Sequence, residues 1–279
     1  MTDRSRLERS WLARDPSAGR GSGGATYRWL WQPETTPFGM TGGVAWFSVQ
    51  AIAMWFGLWP LAVVFAVAAG LAAGQTARAW TSADEHADVP LALLIGSLAP
   101  LAAATHTAAF GALFVAGVVV SILGASVQRS ADTPPLRDAG FTIQSWMPTA
   151  IASGSMIFAY RYEVGAAVWL LCLVSIYDAG HYSFGAGSDR AWGGPFAGIA
   201  GIGVVAFALV IVGVPPLDTS AAGRFAVGAA FLIPAGVALG SLVLPGSGAR
   251  AGAFRRLDSL MVAGPLWAWS VGRYLSDLV

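Results

Sequence analysis

Residues 195–214 read PFAGIAGIGVVAFALVIVGV and contain no charged side chain. A helical apolar stretch of about 20 residues matches the hydrocarbon thickness of a bilayer. Similar stretches recur along the 279-residue chain, in which 56% of the residues are apolar and 11% are charged. Because soluble domains carry about 25% charged residues, this composition excludes an ordinary soluble enzyme, a disordered protein and a secreted disulfide scaffold. The sequence therefore predicts an all-α, polytopic transmembrane protein.

Nine apolar segments, separated by polar turns and loops, predict about nine membrane spans. They lie at roughly 42–58, 60–77, 89–105, 107–126, 143–160, 164–177, 195–214, 222–244 and 257–275. The residues before them are rich in Arg, Ser and Gly, a composition typical of disordered or interfacial segments. We therefore expect a disordered cytoplasmic arm over 1–40 and a transmembrane domain over 41–279.

The arginines are distributed unequally between the two sides of this nine-span arrangement. Every basic residue is an arginine; thirteen of the sixteen fall on the side of the N-terminus, and three fall on the other side. Because Lys and Arg accumulate in cytoplasmic loops, we predict a multi-pass protein of the cell membrane, inner or plasma, with a cytoplasmic N-terminus. The low basicity excludes nucleic-acid binding.

Few side chains offer ligands for a metal. Three histidines and the single Cys172 provide no cluster for zinc or an iron–sulfur group. The loop 84–88 holds three acidic residues and a histidine. It leaves two interpretations open, a metal site or, more commonly for such a loop, a solvated turn.

Two aspartates lie at the predicted cytoplasmic ends of apolar segments. Asp178 directly follows the sixth segment and is expected to end its helix. An ionisable group at membrane depth costs about 2.5–3.5 kcal/mol and therefore usually faces a cavity or a partner; the alternative is that Asp178 simply reaches the interface. Asp258 begins the last segment, three residues after Arg255, at a spacing that allows a local ion pair.

Three glycines, one just before the seventh segment and two within it, have the spacing of a helix-packing face. Gly194, Gly198 and Gly201 are separated by four and three residues. Small residues at such intervals allow two helices to approach closely in a membrane. Helix packing is the favoured interpretation, and contact with a ligand is the alternative.

Three fragments, in order along the chain, carry a resemblance to a known family. Residues 178–185 read DAGHYSFG, residues 190–194 read RAWGG, and residues 254–260 read FRRLDSL and are followed by Pro265. They resemble the D-x-G-A-Y-x-x-G, the second half of the S-P-x-K-T-x-E-G and the D-R-x-D-S-L of the phosphatidate cytidylyltransferase (CDP-diacylglycerol synthase) family. The resemblance covers about residues 40–279.

The resemblance implies an activity and a site. Members of this family transfer a cytidylyl group from CTP to phosphatidate: a lipid phosphate oxygen attacks the α-phosphorus of CTP, and pyrophosphate leaves. It implies catalytic roles and Mg²⁺ ligation for Asp178 and Asp258, with phosphatidate and CTP as substrates. The residues implied in substrate and phosphate binding are Arg190, Arg256, Ser259, Tyr182 and Trp192. The surroundings would be membrane lipid, and a homodimer or a membrane partner protein is compatible with this interpretation.

Departures from the family pattern leave a second interpretation open. Arg255 stands where the family has an aspartate, and the family's Lys-Asp pair has no counterpart because the chain contains no lysine. Three further positions of the S-P-x-K-T-x-E-G pattern read Gly187, Ala191 and Gly193. The alternative is therefore a non-catalytic relative that acts as a lipid-binding or partner-binding membrane subunit. A small-solute transporter is a third, less favoured class.

Overall fold

The computed structural model describes residues 33, 39–127, 134–188, 190, 192–246 and 249–277. Within these ranges the chain forms nine α-helices, a short 3-10 helix at Phe254–Arg256 and no β-strand. The α-helices are α1 (Gly39–Phe56), α2 (Leu58–Thr81), α3 (Val89–Thr105), α4 (Thr107–Val127), α5 (Pro135–Tyr162), α6 (Val164–Gly185), α7 (Gly193–Val212), α8 (Thr219–Val243) and α9 (Leu260–Ser276). The predicted arm over 1–40 lies outside the described residues, apart from 33, 39 and 40.

The apolar segments of the sequence correspond one to one to these helices, and the all-α class is confirmed. Within the described ranges, five of the helices, α2, α4, α6, α7 and α8, are long and apolar enough to cross a membrane. The helix α3 is also apolar but has 17 residues. The protein is therefore a helical membrane protein.

The predicted end of the sixth helix is wrong, and it concerns a candidate site residue. Asp178 does not end its helix, because α6 continues to Gly185 and places Asp178 two turns before its end. The chain leaves the helix where Gly187 adopts a left-handed φ of +69°, a conformation that glycine accepts at helix ends. Residues 178–185, which lie between the sixth and seventh predicted spans, are therefore helical.

The helix α5 begins eight residues earlier than predicted and lies at the centre of the bundle. It packs against α2, α3, α4, α6 and α9. Ser145 and Ser153 are fully buried in it, and their hydroxyls donate to the carbonyls of Phe141 and Thr149, each at 2.7 Å. Hydroxyls satisfied within their own helix can face neighbouring helices in place of lipid. This central position explains why α5 carries many polar residues.

Glycines allow α6 and α7 to pack very closely. A Cβ at Gly198 would lie 2.5 Å from the ring of Tyr177, and a Cβ at Gly194 would lie 2.7 Å from the carbonyl oxygen of His181. The predicted packing role of this glycine face is confirmed. Close packing fixes α6, which carries Asp178, against α7.

Hydrogen bonds between distant residues fix the segment that precedes α9. The carbonyl of Val243, at the end of α8, accepts from Trp80 Nε1 at 3.0 Å and from Gln144 Nε2 at 3.1 Å. The Gln75 side-chain oxygen accepts from the backbone N–H of Ala253 at 2.8 Å. The 3-10 helix is thereby held between α2 and α8, with its two arginines directed toward α1 and α8.

Candidate functional site

A cavity of about 300 Å³ lies where α1, α6, α7 and the 3-10 helix meet. Its walls are mostly apolar, and polar groups are gathered at the end formed by Asp178, Tyr182 and Arg256. The residues that line it are Gly39, Met40, Gly43, Val44, Trp46, Phe47, Cys172, Ser175, Ile176, Asp178, Ala179, Tyr182, Val205 and Arg256. An apolar pocket with a few convergent polar groups is typical of a ligand site.

Arg256 provides the positive charge of this cavity. Its Nη2 donates to the carbonyl oxygen of Gly39 at 3.0 Å. The guanidinium lies against two more glycines of α1. A Cβ added to Gly42 would lie 3.2 Å from it, and a Cβ added to Gly43 would lie 3.1 Å from it. The absence of side chains at these positions leaves room for the guanidinium between α1 and α6.

Asp178 lies on the α6 wall of the cavity and is held from a distant part of the chain. The hydroxyl of Ser259, which is fully buried, donates to Asp178 Oδ2 at 3.3 Å. Arg256 and Asp258 are also close enough to act on the Asp178 carboxylate electrostatically. The contact connects α6 to the start of α9 over 81 positions of sequence.

Asp258 is a neighbour of Asp178 but faces away from the cavity. It is 2% exposed, and Arg255 Nη1 lies 3.2 Å from its Oδ2. The side chain packs on α8, where a Cβ at Gly240 would lie 3.2 Å from the same oxygen. Asp178 therefore belongs to the cavity wall, and Asp258 belongs to a buried ion pair behind it.

The structure brings together five of the seven predicted site residues. Tyr182 lines the cavity beside Gly39, where an added Cβ would lie 2.0 Å from the Tyr182 hydroxyl. Arg190 and Trp192 are exposed and are not among the lining residues. The five that meet are Asp178, Tyr182, Arg256, Asp258 and Ser259.

The arrangement of charges does not fit a Mg²⁺ ion held by both aspartates. Each carboxylate has a guanidinium near it, Arg255 at Asp258 and Arg256 at Asp178. The two acidic and two basic groups have no net charge, whereas Mg²⁺ seeks several anionic or neutral oxygen ligands. In the described parts of the chain, no three His, Cys, Asp or Glu side chains form a group that could hold a metal.

The loop 84–88 has structural contacts of its own. Glu85 forms an ion pair with Arg137. The Asp88 side chain caps α3 by accepting from the backbone N–H of Leu91 at 3.0 Å. These contacts account for two of its three acidic residues.

Sequence reasoning missed the small residues that shape the site. Gly39, Gly42 and Gly43 make room for Tyr182 and Arg256, and Ser241 accepts from Arg255 Nη1 at 2.9 Å. The signal available was the spacing of glycines: three within five residues at the start of α1, and a Gly236–Gly240 pair one turn apart on α8. Such spacing indicates close packing, but it does not identify which side chain packs there.

No protein-family model matches the chain, and no match is found among curated proteins or among solved structures.

Proposed function

We propose that this membrane protein binds a phosphate-bearing lipid of the phosphatidate type, with the lipid phosphate at Arg256. The observation that carries the proposal is a fixed guanidinium, beside Asp178 and Tyr182, at the polar end of a mostly apolar cavity. It agrees with the non-catalytic interpretation of the resemblance, in which a relative of the cytidylyltransferases keeps the lipid site.

Arg256 has the chemistry required for a phosphate monoester. A guanidinium remains charged at any physiological pH and offers a planar fork of donors that matches two phosphate oxygens. Its Nη2 is held by the Gly39 carbonyl, so little side-chain entropy remains to be lost on binding. Tyr182 lines the same end of the cavity.

The apolar walls and their exposure favour a lipid over a soluble ligand. Val44 and Phe47, on the α1 wall, are 60% and 36% exposed. In a membrane these side chains face acyl chains, so the cavity communicates with the bilayer along α1. A lipid can insert its headgroup sideways toward Arg256 while its acyl chains remain in the hydrocarbon.

Size and charge argue against a nucleoside triphosphate in the same cavity. Its volume of about 300 Å³ is at the lower end of ligand pockets, about 300–1,000 Å³. Within the described chain, Arg256 is the one cationic side chain among its lining residues. One guanidinium suits one phosphate group better than a triphosphate, whose charge calls for several cations.

The proposed topology places this site at the cytoplasmic side of the cell membrane, inner or plasma. In this proposal all nine helices span, the N-terminus is cytoplasmic, and the 3-10 helix with Arg255 and Arg256 is on the same side. The support is the arginine distribution, thirteen against three, and the one-to-one match of helices to apolar segments. A phosphate headgroup of the inner leaflet would then lie at the depth of Arg256.

A binding experiment on the purified protein in nanodiscs tests the proposal. Fluorescent phosphatidate is titrated, with unlabelled phosphatidate, diacylglycerol of the same acyl chains and inorganic phosphate as competitors. We expect competition by phosphatidate and at least tenfold weaker competition by diacylglycerol. If inorganic phosphate competes as strongly as phosphatidate, the ligand is a free anion and the lipid proposal is overturned. If diacylglycerol competes as strongly as phosphatidate, the role of the phosphate is overturned as well.

Cytidylyl transfer is the second candidate, and one observation favours it. Two fragments that carry the resemblance, around residues 178 and 258, meet in space through the Ser259–Asp178 hydrogen bond. Incorporation of labelled CTP into phosphatidate-containing micelles, with Asp178→Ala as the control, separates the candidates. Turnover that is lost in Asp178→Ala would favour the transferase; lipid binding without turnover would favour the binding protein.

A further inference from the structure

A buried ion pair lies behind the cavity, outside the proposed lipid contacts. The Arg255 side chain is 8% exposed and the Asp258 side chain 1% exposed, with Nη1 and Oδ2 separated by 3.2 Å. The same Nη1 donates to Ser241 Oγ at 2.9 Å. The guanidinium is therefore attached to α8 as well as to Asp258.

The surroundings of Asp258 leave its carboxylate closed on two sides. On one side Arg255 lies against Oδ2. On the other, α8 packs against Asp258: a Cβ at Gly240 would lie 2.5 Å from the Asp258 Cβ and 3.2 Å from Oδ2, and one at Gly236 would lie 2.5 Å from its backbone oxygen. The guanidinium therefore holds the position next to Oδ2 that a cation bound to this oxygen would take.

The charge balance strengthens this steric argument. The formal charges of Asp178, Asp258, Arg255 and Arg256 sum to zero, and Asp258 lies close enough to act on the Asp178 carboxylate electrostatically. Two buried carboxylates close together require a positive partner, because an uncompensated charge in a low-dielectric interior is strongly unfavourable. A divalent ion added here would leave an excess of two positive charges beside two guanidiniums.

We propose that the Arg255 guanidinium takes the place of a divalent cation at this site, so that the paired aspartates are neutralised without metal. Arg255 is then a positioning residue: it holds Asp258, and through the adjacent Ser259 it holds Asp178 on the cavity wall. The inference concerns metal binding by the protein itself and does not depend on the identity of the lipid.

Manganese titration followed by electron paramagnetic resonance tests this directly, with Mn²⁺ as the probe. Wild-type protein in detergent is expected to bind no more Mn²⁺ than the Asp178→Asn variant. In Arg255→Gln, which keeps a donor for Ser241 but removes the charge, we expect a Mn²⁺ site at least tenfold tighter than in wild type. Adding Asp178→Asn to the Arg255→Gln variant should abolish this Mn²⁺ site. Arg255→Lys, the matched control that keeps the charge, should have no Mn²⁺ site.

Two results would overturn the proposal: a wild-type Mn²⁺ site that Asp178→Asn removes, or a folded Arg255→Gln protein that gains no site. If Arg255→Gln does not fold, the comparison of Mn²⁺ binding between wild type and Asp178→Asn still tests whether the native site holds a metal. Phosphatidate binding by wild type should also be equal in Mg²⁺ and in chelator. If phosphatidate does not bind in either, the lipid proposal fails, while the Mn²⁺ titration still tests the role of Arg255.

Discussion

Two adjacent arginines have different environments at this site. Arg256 turns toward α1 and lines the cavity, whereas Arg255 turns toward α8 and is buried against Asp258. Consecutive residues of a 3-10 helix point about 120° apart, because the helix has three residues per turn. One turn of chain therefore directs one guanidinium into the cavity and the other into the protein interior.

Arg256 is the residue whose loss should affect ligand binding most. We expect Arg256→Ala to weaken phosphatidate binding about 10–100-fold, since hydrogen bonds to charged groups contribute about 1.5–3 kcal/mol. Arg256→Lys, which keeps the charge but loses the fork, should be intermediate. Titration of fluorescent phosphatidate in nanodiscs measures both variants.

The control for this prediction is Arg78→Ala, which removes an exposed arginine of α2 outside the cavity lining. It should bind phosphatidate as wild type does. Equal affinity of Arg256→Ala and Arg78→Ala, with both proteins folded, would contradict the role given to Arg256.

Asp218 is predicted to make the stability of α8 depend on pH. Hydrogen bonds to its carboxylate, first from the Ala221 backbone N–H at 2.8 Å and then from Ser220 Oγ, hold its pKa below the usual range. With a lowered folded pKa, its contribution is complete above the unfolded value of about 3.9 and is lost as the pH falls further.

We therefore expect Asp218→Asn to melt below wild type at pH 7 and the difference to shrink as the pH falls below about 4. The reason is that the protonated carboxyl resembles the amide in charge. The difference in melting temperature is measured by tryptophan fluorescence in detergent, at intervals from pH 3 to 7. A difference that stays constant or grows in acid would contradict the assignment.

Among the helices, α8 shows how a glycine pair positions the site from outside it. Gly236 and Gly240 lie one turn apart and touch the backbone and side chain of Asp258. This face allows the segment before α9 to approach α8, and Ser241 beside it fixes Arg255. The packing of α8 therefore sets the depth at which the two aspartates meet.

Gly240→Ala should destabilise the protein by about 1–3 kcal/mol, the usual cost of overpacking a filled interior. The reason is that its Cβ would lie 2.5 Å from the Asp258 Cβ. The matched control is Gly228→Ala in the same helix, where an added Cβ meets nothing within 4 Å. That change should be neutral or stabilising by about 0.8–1 kcal/mol, from helix propensity. Thermal melting compares the two variants. Equal melting temperatures would contradict the packing role of Gly240.

Apolar length was sufficient to locate the helices, but not all of their ends. The bounds of α3 agree with the predicted 89–105 because Asp88 caps it and Pro90 lies in its first turn. The start of α5 and the end of α6 differ from the prediction because both helices continue through polar residues, of which Thr142 and His181 are buried. Hydropathy reports contact with lipid, and it carries little information on polar residues within the bundle.

Over the whole molecule, residues 178 and 258 meet because α6, α8 and α9 pack around the segment that precedes α9. The resemblance found both aspartates from the sequence. It could not determine which of them faces the cavity, because that depends on the direction of Arg255 and Arg256 and on the glycines of α1 and α8. Side-chain direction within a packed bundle is a tertiary property, and the local sequence does not specify it.

The proposed topology predicts which side chains are accessible from each side of the membrane. In a Cys172→Ala background, Ser188→Cys should react with an impermeant thiol reagent from the cytoplasmic side, and Thr107→Cys from the opposite side. The comparison uses inside-out and right-side-out vesicles. The reverse pattern, or both positions on one side, would rule out the nine-span arrangement with a cytoplasmic N-terminus.

The central claim is that a lipid phosphate occupies the cavity at Arg256, and the native Cys172 provides the most direct measurement. It is the single cysteine of the chain and lines this cavity. The rate of its modification by a small methanethiosulfonate reagent is measured in nanodiscs with phosphatidate or with diacylglycerol of the same acyl chains. We predict at least fivefold protection by phosphatidate in wild type, and little protection by diacylglycerol or in Arg256→Ala. Equal rates with the two lipids in wild type would contradict the claim.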